Sequence, residues 1–330
     1  MVDISTVGYD VELLTETGAR YLLNGELQSL QWEEQKNELA QRASVTLANA
    51  QIGGQKIIAL AKLNCVIMIY GKWGSTRQLV FEGVIWEWPY TESVSKDLKL
   101  TVYDRAKYLM QSEDFRYYSA GMTTSDIVGD ICREWGVPLS YTWRQSVTHE
   151  KKVFNRRHLS DMIIELLDEA ARKTGGRYVI LFRDGRLHIT GRGMNIAVYR
   201  FDGTNTETTV NKLSMNELVT RVKVIGKQDN DGRAPVEAVR DGDTRFGVLQ
   251  RIVQRDTNTT LGAAIAEADT VIREGGKPKE TNQITIPDLP FLRKGDKVEL
   301  AAGNLKGIFY VEGVSHNADI GKMTLTVERA

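Results

Sequence analysis

The sequence predicts a mainly β fold with an α+β insert: two antiparallel β-barrel or sandwich domains flanking a middle α+β domain. Three observations carry that prediction. Residues 9–108 and 206–330 are dominated by alternating apolar runs, the period-2 signature of strands with one buried face. The stretch between them switches to helical periodicity. Finally, the chain repeats itself. "FEGVIWEW" near residue 81 is echoed by "VEGVSHNA" near the end. Each is followed by Leu-Thr-Val, in "LKLTVYDR" at 98–105 and "MTLTVERA" at 323–330.

The first block, 1–108, opens its clear pattern at "ASVTLAN", where Ala43, Val45 and Leu47 alternate with Ser44 and Thr46. "CVIMIYG" is apolar on both faces, as a central strand requires. "QLVFEGVIWEWPY" is a long strand whose internal Gly83 marks a bulge or a close backbone approach. Pro89 ends it, "YTESVSKD" is a polar loop, and "DLKLTVYDR" is the next strand.

In the second block, 109–205, "TTSDIVGDICREWGVP" places Ile127, Val128, Ile131, Cys132 and Trp135 on one helical face. Thr or Ser stands at its start, with Gly136 and Pro138 beyond its end. "HLSDMIIELLDEAARKTGG" is a second helix, with Ser160 as expected N-cap and Gly175 as terminator. "RYVILFRDGRLHIT" is a hairpin turning on Asp184-Gly185.

The third block, 206–330, starts with "LVTRVKVIGK", "APVEAVRD" and "FGVLQRIVQRD". A helix, "TLGAAIAEADTVIREGG", follows. The closing "RKGDKVELAAG", "GIFYVEGVSHNA" and "KMTLTVERA" form an antiparallel meander. Aligned on the echo, Glu82-Gly83-Val84 falls on Glu312-Gly313-Val314 and Leu100-Thr101-Val102 on Leu325-Thr326-Val327; Val66 falls on Val298. Length differences fall in turns, where they disturb a core least. Strands share a small vocabulary, so three-residue matches also recur by chance; the shared order of elements favours a duplication.

Composition narrows the function. Forty-three basic and 43 acidic residues give a formal net charge of zero, with no global signature of a nucleic-acid or membrane-surface binder. No run of 18 apolar residues exists, and the N-terminus lacks the pattern of a secretory signal, so a soluble product made in the cytoplasm is expected. Cys65 and Cys132 read as small buried hydrophobes in a reducing compartment.

No enzymatic constellation emerges, and neither a cofactor nor a metal is expected. The four histidines, His149, His158, His188 and His316, form no H-E-x-x-H pair. "GRGMNI" lacks the third glycine of a dinucleotide loop, and "DNDG" at 229–232 reads as a turn. Neither cysteine has the exposed helix-start setting of a nucleophile. Asp168-Glu169 and Glu33-Glu34 read as solvated faces. The basic run "KKVFNRRH" at 151–158 reads as a solvated loop or a protein contact. Trp86 and Trp88 in "WEWPY" either stack on sugars or pack into a core or subunit interface, and packing is the simpler reading.

The stretch "LKLTVYDRAKYLMQSEDFRYYSAGMTTSDIVGDICREWGVP" resembles the tail hub family of contractile phages and phage-like bacteriocins, of the XkdQ/YqbQ type found in defective Bacillus prophages. A strand ending in "YD", a Leu-containing turn, a Gly-x-Thr element and a helix closing in Gly-Val-Pro carry the likeness. "LSDMIIELLDEAARKTGGRYVILFRDGRLHI" and the closing "LRKGDKVEL…YVEGVSHNADIGKMTLTVE" extend it over nearly the whole chain. The resemblance implies two tail-tube-like β domains in one chain, as in T-even hubs and the base of VgrG spikes. It implies a structural, non-enzymatic baseplate hub: a homotrimer presenting six similar domains, joining a hexameric tail tube to a threefold spike and framing the channel.

Open strand edges of one subunit would be paired by the next. Implied partners are the tube or tube-initiator protein, the spike, neighbouring baseplate proteins and a LysM-containing tail protein. No membrane is involved, and DNA enters only as passing cargo. Such a chain belongs in a virion or tail-like particle assembled in the host cytoplasm. It has no room for an added lysozyme or peptidase domain. Glu82, Gly83, Val84, Glu312, Gly313, Val314, Trp86 and Trp88 are the repeat or interface candidates, and a cell-wall-binding or lytic tail protein is the alternative.

Overall fold

A computed structural model describes residues 6–36, 38–89, 97–228, 231–255 and 259–330 of the protein. Of the expected polar loop at 90–97, residues 90–96 lie outside the described residues and Asp97 begins a strand; Asp229 and Asn230 of the expected turn also lie outside them. The chain divides into two compact units, Met1–Thr209 with Gln283–Ala330, and Val210–Asn282. Residues 210–282, which the sequence places inside the last β block, thus have a compact body and a core of their own.

The larger unit is organised by a 13-stranded sheet. Its first half contains the antiparallel meander Val66–Trp73, Thr76–Glu87 and Asp97–Tyr103, flanked by Gly8–Leu14 on one side and Arg42–Ala48 on the other. Its second half contains the meander Lys297–Ala302, Leu305–Asn317 and Lys322–Arg329. The halves join where Leu27–Glu34 pairs with the far end of Leu305–Asn317, placing Trp32 opposite His316 and Glu34 opposite Val314. Each half nevertheless keeps its own core. One gathers Val11, Leu30, Val45, Ile67 and Leu100, and the other Ile284, Val298, Phe309, Val311 and Leu325.

The two meanders agree in register. Ile67 stands opposite Gly83 and Ile85 opposite Val102, while Val298 stands opposite Phe309 and Val311 opposite Val327. In each, the middle strand carries a β-bulge immediately after the matched residue, at Trp86 in the first and Glu312 in the second. A bulge bends the strand and re-aims the side chains beyond it, so both middle strands turn at the same place. By this register Leu-Thr-Val matches Leu-Thr-Val, as aligned in sequence. The first and middle strands match differently: Ile67 rather than Val66 corresponds to Val298, Val84 corresponds to Tyr310, and the two Glu-Gly-Val stretches occupy different positions.

The middle block packs helices Thr124–Glu134 and Leu159–Thr174 around a third core that includes Ile127, Ile131, Met162, Leu166 and Ile189. Thr123 and Asp126 form a reciprocal capping box at the first helix. The second helix begins one residue before the expected cap: His158 is the N-cap, and Ser160 is buried in the first turn. Gly175 ends it with φ 70°, and Asp184-Gly185 turns the hairpin with φ 50° and 69°, the left-handed pair a type I′ turn requires. The basic run 151–158 is a strand, Lys152–His158, paired with Glu113–Tyr118. Phe154 is drawn into the core there, and Lys152 is tied to Glu165 and Glu169.

The smaller unit holds a three-stranded sheet of Val236–Asp241, Arg221–Ile225 and Gln250–Gln254, with Arg221–Ile225 in the centre. Helix Leu261–Gly275, capped by the Thr260 side chain, covers one face. Its core is Val219, Val222, Val224, Val253, Ala264 and Ala268.

Candidate functional site

The densest chemistry in the larger unit is a buried polar seam where the two sheet halves meet. Strand alternation creates it: along Leu27–Glu34 the residues Leu30, Trp32 and Glu34 point inward, and a period of two leaves Glu34 no route to solvent. Glu34 is 1% exposed, so the solvated face expected for Glu33-Glu34 holds only for Glu33. The seam's basic partners come from the turn before Lys297–Ala302. There Gly295 adopts φ 90°, and an added Cβ would lie 2.8 Å from a Val179 methyl, so only glycine fits the turn.

Glu34 Oε1 accepts from Arg293 Nε at 3.0 Å, and its Oε2 accepts from the Lys294 backbone N–H at 2.8 Å. The Arg293 guanidinium lies 5.3 Å from the Trp32 ring centre. Lys294 Nζ donates to the carbonyls of Glu38 (2.8 Å) and Gln35 (3.3 Å). Asp104 accepts from the backbone N–H groups of Gln41 and Ala106, each at 2.9 Å. The Gln41 side chain then donates to Phe182 O at 2.7 Å, reaching the middle block. On the other side of Trp32, His316 Nδ1 lies 2.6 Å from Asp288 Oδ1, and Tyr9 donates to Asp288 Oδ2 at 2.7 Å.

Burial sets the electrostatics. It opposes ionisation of Glu34, but Arg293 and Lys294 overcome it and hold its pKa down at about 2. Burial pushes Asp104 up to about 8 and Asp296 up to about 6. Burial lowers Lys294, and together with the Asp288 charge it raises Tyr9 far above the usual phenol range. Each carboxylate of the seam faces donors that it already engages. The chemistry is that of a clamp: it fixes one half of the sheet against the other.

The candidates from the sequence are scattered around this clamp. Val84 and Val314 are 4% and 2% exposed, in separate halves of the sheet. Gly83 has no room for a side chain, since a Cβ would meet Tyr103 O at 2.6 Å; at Gly313 the nearest atom, Glu34 O, is 3.1 Å away. Glu82 is half-buried opposite Met68. Glu312, at the second bulge, binds Lys36 at 2.6 Å and Arg192 at 3.5 Å, linking the first β region and the middle block to the second meander. Trp86 packs edge-on against Tyr103 and Tyr108, with ring centres 6.2 and 5.2 Å away, and Trp88 rests on the first core. Glu169, expected on a solvated face, is bound by Lys152, Lys173 and His149.

Sequence reading missed Arg293, Lys294, Asp104, Asp288 and His316. The available signal was a charged pair, Arg293-Lys294, beside Gly295 and just before an apolar strand.

A model of the YqbQ-like family matches residues 30–328. The chain belongs to the YqbQ-like family. It is 22% identical over 247 residues to the uncharacterized protein YqbQ of Bacillus subtilis strain 168, covering 70% of this chain and 72% of that one. Its fold is that of phage tail proteins. The 43 kDa tail protein of prophage MuSo2 from Shewanella oneidensis superimposes with a TM-score of 0.68 at 12% identity, over 97% of this chain and 98% of that one. The E. coli c3393 protein matches with a TM-score of 0.52 at 13% identity, over 92% and 74%. That protein is described as a type VI secretion component structurally similar to the T4 tail proteins gp27 and gp5.

Proposed function

We propose that this YqbQ-like chain is the structural hub of a contractile phage baseplate or tail-like particle, a non-enzymatic homotrimer joining a hexameric tail tube to a threefold spike and framing the channel. The observation that carries this reading is the pair of meanders within one continuous sheet that share a register around a matched bulge, at Trp86 in one and Glu312 in the other. Three chains then present six similar β modules, which meet a sixfold tube on one side and a threefold spike on the other. The buried clamp supports it, because a ring of alternating modules needs their relative placement fixed within each chain. The tail-protein fold is consistent with assembly into a virion or tail-like particle in the host cytoplasm.

The partners follow from the reading: tube or tube-initiator protein, spike, neighbouring baseplate proteins and a LysM-containing tail protein, with DNA only as cargo. Among the described residues no helix is long and apolar enough to cross a membrane. Trp86 and Trp88 are both engaged in packing, which argues against a sugar platform. Light scattering on the purified chain tests the proposal. A mass near three times 37.1 kDa is expected, whereas a single-chain mass that persists on co-expression with the spike sinks the ring.

A further inference from the structure

The two halves of the 13-stranded sheet are laid out alike. Outward from the third strand of each meander come two more strands. They are Arg42–Ala48 then Leu27–Glu34 beyond Asp97–Tyr103, and Lys279–Pro287 then Thr208–Ser214 beyond Lys322–Arg329. The turn that leads into each meander matches as well. Asn64 N–H donates to Ile85 O at 3.1 Å, and Ile85 N–H to Cys65 O at 2.8 Å. In the second half Gly295 N–H donates to Val311 O at 2.7 Å, and Val311 N–H to Asp296 O at 2.8 Å. Asn64 and Gly295 both adopt left-handed φ, 64° and 90°, a conformation few non-glycine residues take. Lys62, Leu63 and Asn64 therefore hold the places of Arg293, Lys294 and Gly295.

The matched turns differ in what covers them. The second is sealed within the chain: Leu27–Glu34 pairs alongside it with Val314–Asn317, Glu34 engages Arg293 and Lys294, and both basic residues are buried. At the first turn Lys62, Leu63 and Asn64 all stand in solvent, Leu63 at 53% exposure. Among the described residues, Thr76–Glu87 pairs only with its two meander neighbours. The strand in the place of Leu27–Glu34 is equally bare. Thr208–Ser214 ends the sheet with one edge unpaired, and its Val210 and Leu213 are 44% and 66% exposed. Each chain thus holds this joint once in closed form and once as two separated faces.

We infer that the missing cover is a second copy of this chain: the Thr208–Ser214 strand of one protomer seats against the Lys62–Asn64 turn of the next. The contact repeats between chains the joint that Leu27–Glu34 makes with the Arg293–Gly295 turn inside one. It rests on the trimeric hub reading and names the surfaces that hold the trimer together. Each protomer gives one face and receives the other, so the contact is head-to-tail and closes into a ring of alternating internal and external joints. The chemistry of the two joints differs. Leu63 stands where Lys294 does, and Thr208–Ser214 carries no acidic residue to act as Glu34 does. Apolar contact of Leu63 with Val210 and Leu213 replaces the buried ion pair, so assembly from separate chains is spared the desolvation of two charges.

The test uses the full chain with a cysteine on each face, Leu63→Cys and Leu213→Cys, alone and combined; the two native cysteines are buried. A short thiol-to-thiol cross-linker is applied, with mass read by light scattering before the reaction and on denaturing gels after it. The expected parent is trimeric, and the double variant yields covalent species of two and three chains. Neither single variant yields any, because the joint never sets like against like. A trimeric parent whose double variant stays at the single-chain mass on the gel overturns this joint and leaves the hub reading intact. Cross-linked dimers from either single variant overturn the head-to-tail arrangement. A parent at the single-chain mass, with the spike protein present as well as without it, overturns both.

Discussion

The indole of Trp32 lies flat on the imidazole of His316, with ring centres 3.7 Å apart and planes 6° from parallel. The two residues face each other across the strand pair that joins the sheet halves. The stack therefore sits at the joint itself, with Arg293 over the same indole and Asp288 holding the imidazole edge. Aromatic contact, charge and hydrogen bonding converge on one residue pair.

His316→Phe preserves the stacked shape but strips Asp288 of its ring partner. The expected loss is about 1–3 kcal/mol, the cost of a buried acceptor left short of a donor, read from urea denaturation. Tyr9→Phe, which removes the other donor to Asp288, should add to it less than independently. Full additivity would show that the two donors do not share Asp288.

Glu34→Gln leaves Arg293 buried without a counter-charge and should cost about 3–5 kcal/mol. The double change Glu34→Leu with Arg293→Met should recover much of that. The folded pKa near 2 lies below the ordinary 4.5. The ion pair therefore stabilises fully above pH 4.5, and its contribution is lost as pH falls toward 2. Parent and Glu34→Gln stabilities should converge over that window; a constant gap would contradict the pairing.

Asp104 has the opposite sign. Its pKa rises from 3.8 to about 8, so between those values the folded state keeps a proton that the unfolded chain has released. Stability should decline as pH climbs from about 4 to 8. Asp104→Asn should flatten that slope relative to the parent in denaturation series at pH 5 and pH 8. An unchanged slope would place the titration elsewhere.

The two motif glycines should respond unequally. Gly83→Ala forces a Cβ against the Tyr103 carbonyl and the Phe81 ring, an overpacking penalty of about 1–3 kcal/mol. Gly313→Ala, with its nearest atom at 3.1 Å, should cost less. Equal losses would argue that Gly83 and Gly313 occupy equivalent positions after all.

Val84→Asp and Val314→Asp each bury an unpaired carboxylate among apolar neighbours, and each should destabilise by a few kcal/mol, ~3 as a central value. Melting like the parent in either variant would mean that its strand presents the valine to solvent.

Much of the architecture was legible because it rests on local rules. Period-2 runs found the strands of both meanders, helical spacing and end signals found the three long helices, and Asp184-Gly185 announced its hairpin. Ser160 misled because a serine near a helix start is a good cap only when its side chain reaches a free N–H; here it is packed inward. The Glu-Gly-Val echo misled along the middle strands, where a match in letters ignored where each bulge falls. The clamp stayed hidden for a deeper reason. Glu34 and Arg293 are separated by 259 positions, and nothing in either neighbourhood says that an acidic residue in an alternating strand will be sealed by an arginine from the other end of the chain.

The route of the chain into the smaller unit has an evolutionary consequence. It leaves along Thr208–Ser214 and returns along Lys279–Pro287, strands that are sheet neighbours. Within the larger unit, Glu207 N–H already meets Thr285 O at 2.9 Å. A segment whose entrance and exit lie side by side can be lengthened, trimmed or exchanged by recombination while the clamp and both meanders stay in place. The larger unit then behaves as a chassis that can keep its sheet and its clamp whatever length of chain is carried between Thr209 and Gln283.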